Sequence, residues 1–69
     1  MTYLVLYEKT ETGYSAYVPD LEGCIASGST KEEVTQLIKE AITFHIEGMQ
    51  EEGLIIPEPA TESALLEVA

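Results

Sequence analysis

The sequence predicts an α+β fold in which one long helix packs on a small, mainly antiparallel sheet. Residues 31–52 have helical periodicity and contain no proline. Three short strand-like segments precede them, the first of which is rich in aromatic and branched residues, and turn sequences separate them. The chain of 69 residues has room for a single domain, 1–69.

Three strands are predicted at about residues 3–8, 14–18 and 23–27. Turn sequence ending in Gly13 separates the first two, and Pro19-Asp20 ends the second. We expect the first two strands to form a hairpin, and two registers of that hairpin are conceivable. The register that places Glu8 opposite Tyr14 separates the side chains more cleanly into two faces.

This register predicts one sheet face under the helix and one open face. The helix-covered face would carry Leu4, Leu6, Ala16 and Val18. The open face would carry Tyr3, Val5, Tyr7 and Tyr17, an apolar patch that the single helix does not cover. Tyrosine suits a contact surface because its ring is buried while its hydroxyl stays hydrated. These four residues are therefore the predicted oligomer interface.

The helix, predicted at about 31–52, has well-marked ends. Thr30 followed by Glu33 has the form of a capping box, and Gly53 is suited to a left-handed cap at the other end. At 100° per residue its apolar side chains span an arc of roughly 160°, wider than the ~100° that one core-facing stripe needs. The members of that arc are Val34, Leu37, Ile38, Ala41, Ile42, Phe44, His45, Gly48 and Met49.

The opposite side of the helix is acidic and carries Glu40, Glu47 and Glu51. It is either a plainly solvated face or a docking surface for a basic partner. Asp20 and Glu22, in the loop after the second strand, either form an ordinary Pro-Asp turn or extend that contact. The net charge of −10 disfavours direct binding of nucleic acid and favours a basic protein partner. The predicted partner-binding residues are Asp20, Glu22, Glu40, Glu47 and Glu51.

The size and composition of the chain favour association in the cytoplasm. A domain of this length is marginally stable alone, and the single cysteine, Cys24, gives no internal disulfide, so a homo-oligomer (a dimer or tetramer) is expected. There is no run of eighteen apolar residues for a membrane span and no basic leader for secretion. After the helix, Pro57 and Pro59 predict a stiff extended spacer. Residues 64–68 fit a short edge strand, with a helical turn or a frayed end as alternatives.

Several segments together resemble the HicB-like antitoxin family. They are Gly13 to Cys24 (GYSAYVPDLEGC), Gly28 to Glu33 (GSTKEE), Glu40-Ala41-Ile42, His45 to Gly48 (HIEG) and Pro57-Glu58-Pro59. The resemblance implies a partial ribonuclease-H-like fold of β-β-β-α-β order. It also implies a function: the best-known members neutralise HicA toxins, small basic proteins that cleave mRNA, by covering the toxin's active site.

The sequence departs from the fuller pattern of that family in one respect. Many members also carry a C-terminal helix-turn-helix or ribbon-helix-helix domain that binds DNA, and residues 1–69 include no such module. We therefore expect no direct contact with nucleic acid from these residues.

No catalytic or metal-binding residues and no cofactor are predicted. A ribonuclease-H-like nuclease would need converging carboxylates, and the loosely suitable acids, Glu8, Glu40 or Glu47, and Glu67, do not fit because the centre of the first strand is apolar. His45 is expected to be a core histidine with one ring nitrogen hydrogen-bonded. Cys24 is expected to be a small buried hydrophobic residue. The sequence thus predicts a non-enzymatic protein.

Two functional hypotheses follow. In the first, the chain is an antitoxin-like module that binds and masks a small basic HicA-type toxin. In the second, it is a stand-alone homo-oligomeric module of unknown ligand, without a toxin partner. The acidic helix favours the first hypothesis, and the apolar open sheet face favours the second.

Overall fold

A computed structural model describes all 69 residues and has the order β-β-β-α. The strands are β1 (Leu6–Lys9), β2 (Tyr14–Tyr17) and β3 (Ile25–Gly28), and the helix α1 spans Lys31–Glu51. The sheet order is β1-β2-β3, and both pairings are antiparallel. The predicted α+β class, with one long helix on a small antiparallel sheet, is confirmed, although each strand is shorter than predicted.

Both ends of α1 lie where the sequence predicts, and one of the two hydrogen bonds of the predicted capping box is present. Thr30 has an extended backbone, and its hydroxyl accepts a hydrogen bond from the Glu33 amide at 3.1 Å. Gly53 has a φ of +71°, and the amide of Leu54 donates to the carbonyl of Met49 at 2.9 Å. This left-handed cap ends the helix. No helix of the structure has the length and apolar character needed to cross a membrane.

The predicted hairpin register is wrong by one residue. Tyr7 lies opposite Ala16, and Leu6 lies opposite Tyr17. Since paired residues share a face of the sheet, the first strand is turned over relative to the prediction. Tyr3, Val5 and Tyr7 pack against the core on the helix side, and only Tyr17 of the predicted interface lies on the open face.

Contacts between Tyr7 and the start of α1 explain this register. The Tyr7 hydroxyl lies 2.6 Å from the Thr35 Oγ1, and the Lys31 ammonium sits 4.9 Å from the centre of the tyrosine ring. Facing outward, Tyr7 would lose both contacts. Leu6, Tyr17 and Ile25 instead form a cross-strand row on the open face, where Tyr17 and Ile25 are 39% and 66% exposed.

The core is small and lies between the sheet, the loop after β2 and the first half of α1. Its six buried residues are Ala16, Val18, Leu21, Cys24, Val34 and Ile38. Leu21 enters from the loop, whose turn is fixed by hydrogen bonds from the Leu21 amide to the Val18 carbonyl and from the Cys24 amide to the Leu21 carbonyl, both 3.1 Å. Burial of Cys24 confirms its predicted structural role, and desolvation raises the pKa of its thiol.

Residues 54–69 form neither helix nor strand, so the edge strand considered for residues 64–68 is absent. Two anchors hold the first part of this segment to the domain. The Tyr3 hydroxyl donates to the Pro57 carbonyl, and the Asp20 carboxylate binds Ala60 and Thr61. Beyond these anchors the residues 62–69 are all exposed. This segment lengthens the molecule, whose radius of gyration is 13.5 Å against about 11 Å expected for a compact domain of its length.

Candidate functional site: the outer face of the helix

The apolar arc of α1 is wider than the surface that the sheet covers. Val34 and Ile38 are buried, and Ala41, Ile42 and Ile46 pack around them. The other edge of the arc stays in solvent, where Leu37 is 40% exposed and Phe44 is 79% exposed. The excess width predicted from the sequence therefore leaves an exposed aromatic side chain in the middle of the helix. We call the surface formed by Phe44 and the two depressions on either side of it, described next, the outer helix face.

On one side of Phe44 lies a shallow polar depression of about 280 Å³. Its other lining residues are Gln36, Lys39, Glu40, Thr43 and Glu47. The Gln36 side-chain amide donates to the Glu40 carboxylate at 2.9 Å, one turn away, which restricts the rotamers of both side chains. Phe44 is the single apolar side chain in this depression, so the arrangement offers an aromatic contact with carboxylates beside it.

On the other side of Phe44 lies a more apolar depression of about 370 Å³, formed with His45, Gly48, Met49, Glu52 and Leu54. His45 is half-buried here and does not belong to the core cluster, so the prediction of a core histidine is wrong. Phe44 separates the two depressions and lines both.

The C-terminal end of α1 carries uncompensated negative charge. The last turn of the helix contains no basic residue, and the side chains of Glu47, Glu51 and Glu52 are all exposed there. The helix dipole adds its negative end at the same place. Together these charges would favour a cation at this end of the outer helix face.

The five predicted partner-binding residues do not form one cluster in the structure. Glu40 and Glu47 line the polar depression, and Glu51 is the last residue of the helix. Glu22 lies at a separate depression beside the loop after β2. The predicted site residues do not include Phe44, although the apolar arc is wider than a single core-facing stripe needs.

Asp20 has a structural partner that the sequence did not reveal. Its carboxylate accepts hydrogen bonds from the amides of Ala60 and Thr61, at 3.2 and 3.1 Å, and from the Thr61 hydroxyl at 2.8 Å. These bonds lower the pKa of Asp20 below its usual 3.8, the Thr61 hydroxyl having the largest effect. Asp20 thus holds the segment after the helix rather than its own turn.

The pKa of Asp20 predicts how this anchor depends on pH. Because the folded pKa is lowered, the anchor is fully present above the unfolded value of 3.8 and is lost as the pH falls through the lower folded value.

We expect amide exchange at Ala60 and Thr61, measured by NMR, to accelerate when Asp20 is replaced by alanine. Asp20→Asn should give an intermediate rate, because it keeps one acceptor oxygen. Unchanged exchange in Asp20→Ala would contradict the anchor.

Gly48 predicts a stabilising substitution on the outer helix face. A Cβ at this position would meet no atom within 4 Å. Since glycine inside a helix costs about 0.5–1 kcal/mol relative to alanine, we expect Gly48→Ala to raise the melting temperature by about 3–6 °C in a circular dichroism melt. Gly53→Ala is the matched control, and its positive φ of +71° should make it lower the melting temperature instead. A fall in both variants would contradict the prediction.

No group of three or more histidine, cysteine, aspartate or glutamate side chains is placed to hold a metal ion. The acids weighed for a nuclease lie apart in the fold: Glu8 is exposed on β1, Glu40 and Glu47 lie on the outer helix face, and Glu67 is exposed in the C-terminal segment.

Comparisons with known proteins agree with this fold. Residues 3–67 match the family described as HicB_like antitoxin of bacterial toxin-antitoxin system. An uncharacterized 14.9 kDa protein of Haemophilus phage HP1 is 46% identical over 57 residues, which are 83% of this chain and 43% of the phage protein. Antitoxin HicB 2 of Photorhabdus laumondii is 32% identical over 69 residues, 99% of this chain and 50% of that protein. The chain thus spans about half the length of these two relatives or less.

A solved structure titled HicA3 and HicB3 toxin-antitoxin complex contains a chain with a similar fold. The TM-score is 0.73 at 33% identity, over 87% of this chain and 70% of that chain. The three antiparallel strands followed by one long helix define the class, a small α+β antitoxin domain. Within that class, the chain belongs to the HicB-like antitoxin family. The family and the fold both point to a non-enzymatic role.

Proposed function

We propose that this chain binds a small basic mRNA-cleaving toxin of the HicA type in the cytoplasm and masks its active site. The main observation behind the proposal is the exposure of Phe44. Its side chain is 79% exposed on the acidic outer helix face. Membership of an antitoxin family and the likeness to a chain of a toxin-antitoxin complex support it.

Phe44 has the properties of an interface anchor. Binding energy is usually concentrated in a few large side chains near the centre of an interface, surrounded by contacts that exclude water. Phe44 lies between the two depressions of the outer helix face, so a partner could cover the ring from both sides. Leu37, two turns before Phe44 and 40% exposed, would extend the apolar contact along the helix.

The charges around Phe44 favour a partner with positive charge. Glu40 and Glu47 lie beside it, and Lys39 is the one basic side chain in the polar depression. Across the whole chain, thirteen acids stand against three lysines. Exposed ion pairs contribute little affinity each, but a field of one sign accelerates encounter with a basic protein and excludes acidic ones. A basic ribonuclease has the complementary charge because its own substrate is a polyanion.

Salt dependence of binding tests the proposal. The 69-residue chain is titrated with a HicA-type toxin encoded next to it, the toxin carrying a substitution that abolishes cleavage. We expect a Kd between about 1 nM and 1 µM. The affinity should weaken as salt rises from 50 to 500 mM, because screening shortens the range of the charges. Binding should also stop mRNA cleavage by the active toxin.

Two results would contradict the proposal. One is the absence of calorimetric binding by any small basic protein encoded beside this chain. The other is binding that leaves mRNA cleavage unchanged, since it would mean that the active site stays open.

The second hypothesis, a homo-oligomeric module without a toxin, is favoured by the row of Leu6, Tyr17 and Ile25 on the open sheet face. This row occupies the open face in place of Tyr3, Val5 and Tyr7, which lie on the helix side. Self-association through it would leave the outer helix face free, so the two hypotheses are separated by whether a toxin binds at all.

A further inference from the structure

An apolar depression of about 360 Å³ lies at the end of the sheet, away from the outer helix face. Tyr17, Pro19, Leu21 and Ile25 line it, and Glu22 lies at its rim. We call it the loop groove. It continues into the row of Leu6, Tyr17 and Ile25, because Tyr17 and Ile25 belong to both surfaces. The loop groove is therefore the end of a longer apolar surface.

The C-terminal segment 62–69 is a second apolar surface without a partner on its own chain. Leu65, Leu66 and Val68 are 103%, 80% and 92% exposed, so none of them packs against the domain. If the segment is extended, Ala64, Leu66 and Val68 project to one side and Leu65 and Glu67 to the other. One side of the segment is thus wholly apolar over these residues.

The segment is tethered next to the groove. Asp20 holds Ala60 and Thr61 through three hydrogen bonds, and it stands in sequence between two residues of the groove lining, Pro19 and Leu21. From Thr61, the eight residues 62–69 can extend about 26 Å. The hydrogen bonds to Asp20 therefore place an apolar segment beside a groove that is uncovered within one chain.

We infer that two copies of this chain exchange their C-terminal segments, so that residues 62–69 of each copy lie in the loop groove of the other. In a dimer with twofold symmetry, two tethers close to the axis place each segment next to the partner's groove, and the contact is made twice. Eight segment residues and eight groove residues from each chain approach the roughly 20 residues a side of a stable interface.

Because of the charge on each chain, the salt dependence of this dimer should be opposite to that of toxin binding. Each copy carries a net charge of −10, so two copies repel at low salt, while the contact itself is apolar. Added salt should therefore strengthen the dimer, whereas it should weaken binding of a basic partner. The inference does not rest on the proposed function, and either can fail alone.

The mass of the chain in solution tests the exchange first. Light scattering behind a sizing column should give about 15 kDa, twice the 7.6 kDa of one chain, with the dimer fraction rising with salt. Leu66→Glu/Val68→Glu should be monomeric at the same concentration. Because both side chains are exposed within one chain, its melting temperature should equal that of the wild-type chain diluted until it too is monomeric. Thr10→Glu/Thr12→Glu adds the same charge to an exposed loop and should remain dimeric.

A photoreactive residue at position 66 tests where the segment lies. The expected product has the mass of two chains, with the cross-link to residues 17–25. A cross-link to the same residues within a single chain would show that the segment covers its own groove and would overturn the exchange. A monomer at every salt concentration would overturn it too, as would a dimer that persists in Leu66→Glu/Val68→Glu or that is lost in Thr10→Glu/Thr12→Glu.

Discussion

Replacing Gly13 by alanine is expected to destabilise the domain by about 3 kcal/mol or more. Gly13 ends the turn between β1 and β2, where its carbonyl accepts a hydrogen bond from the Thr10 amide at 2.9 Å. A Cβ at this position would clash with the Gly28 carbonyl oxygen and lie only 2.7 Å from the Ser29 Cα. These are backbone atoms of the link between β3 and α1, so relief requires the turn between β1 and β2 and this link to move apart.

The size of this effect is large for so small a protein. A chain of this length has a total stability on the order of 3–10 kcal/mol, so much of the Gly13→Ala population should be unfolded at 37 °C. Urea denaturation measures the loss, and thiol labelling of Cys24 gives a second reading. Cys24 is 4% exposed in the folded domain, and labelling should become fast only when the domain opens.

Gly28→Ala provides the matched control for Gly13→Ala. The nearest atom to a Cβ at Gly28 is a carboxylate oxygen of Glu33, and this flexible side chain can turn away. We expect a loss below about 1 kcal/mol, because the substitution moves no backbone. Equal urea midpoints for the two variants would contradict the view that Gly13 is required for the close approach of two backbones.

Replacing Phe44 by alanine is expected to weaken binding of a basic toxin at least about 30-fold, the loss typical of a side chain that anchors an interface. The fold should be unaffected, since the ring is 79% exposed and alanine is a better helix former. Titration calorimetry of the variant with the inactive toxin measures the affinity, and a thermal melt confirms the stability.

Ile55→Ala is the control for Phe44→Ala. Ile55 is a large apolar side chain with an exposure of 91%, and it lines neither depression of the outer helix face. Its loss should change the affinity less than about threefold. A similar loss in both variants, or none in Phe44→Ala, would place the toxin on another surface.

The helix could be predicted from the sequence because its limits depend on local chemistry. The Thr30 hydroxyl caps an amide three residues away, and Gly53 adopts a backbone conformation that other residues avoid. The apolar arc is also wider than one core-facing stripe needs, and in the structure part of it stays uncovered. Which part stays uncovered depends on where the sheet lies, and the sequence around Phe44 carries no signal for that.

The register of the hairpin could not be predicted because both faces of the first strand are apolar. Leu6 on one side and Val5 and Tyr7 on the other all suit a core. The choice depends on contacts across long stretches of chain, such as Tyr7 with Thr35. The hydrogen bonds between Asp20 and Thr61 join residues 41 positions apart, and for the same reason they could not be predicted from the sequence.

The smallness of the core, with six buried residues, has a consequence for how long the protein survives in a cell. A domain with so few buried side chains unfolds often, and cellular proteases degrade the unfolded population. A bound partner stabilises the folded state by mass action, by about 2.7 kcal/mol when its free concentration is a hundred times the Kd. We therefore expect the half-life of this chain to lengthen severalfold when its partner is abundant. Degradation would then keep the amount of this chain in step with the amount of its partner.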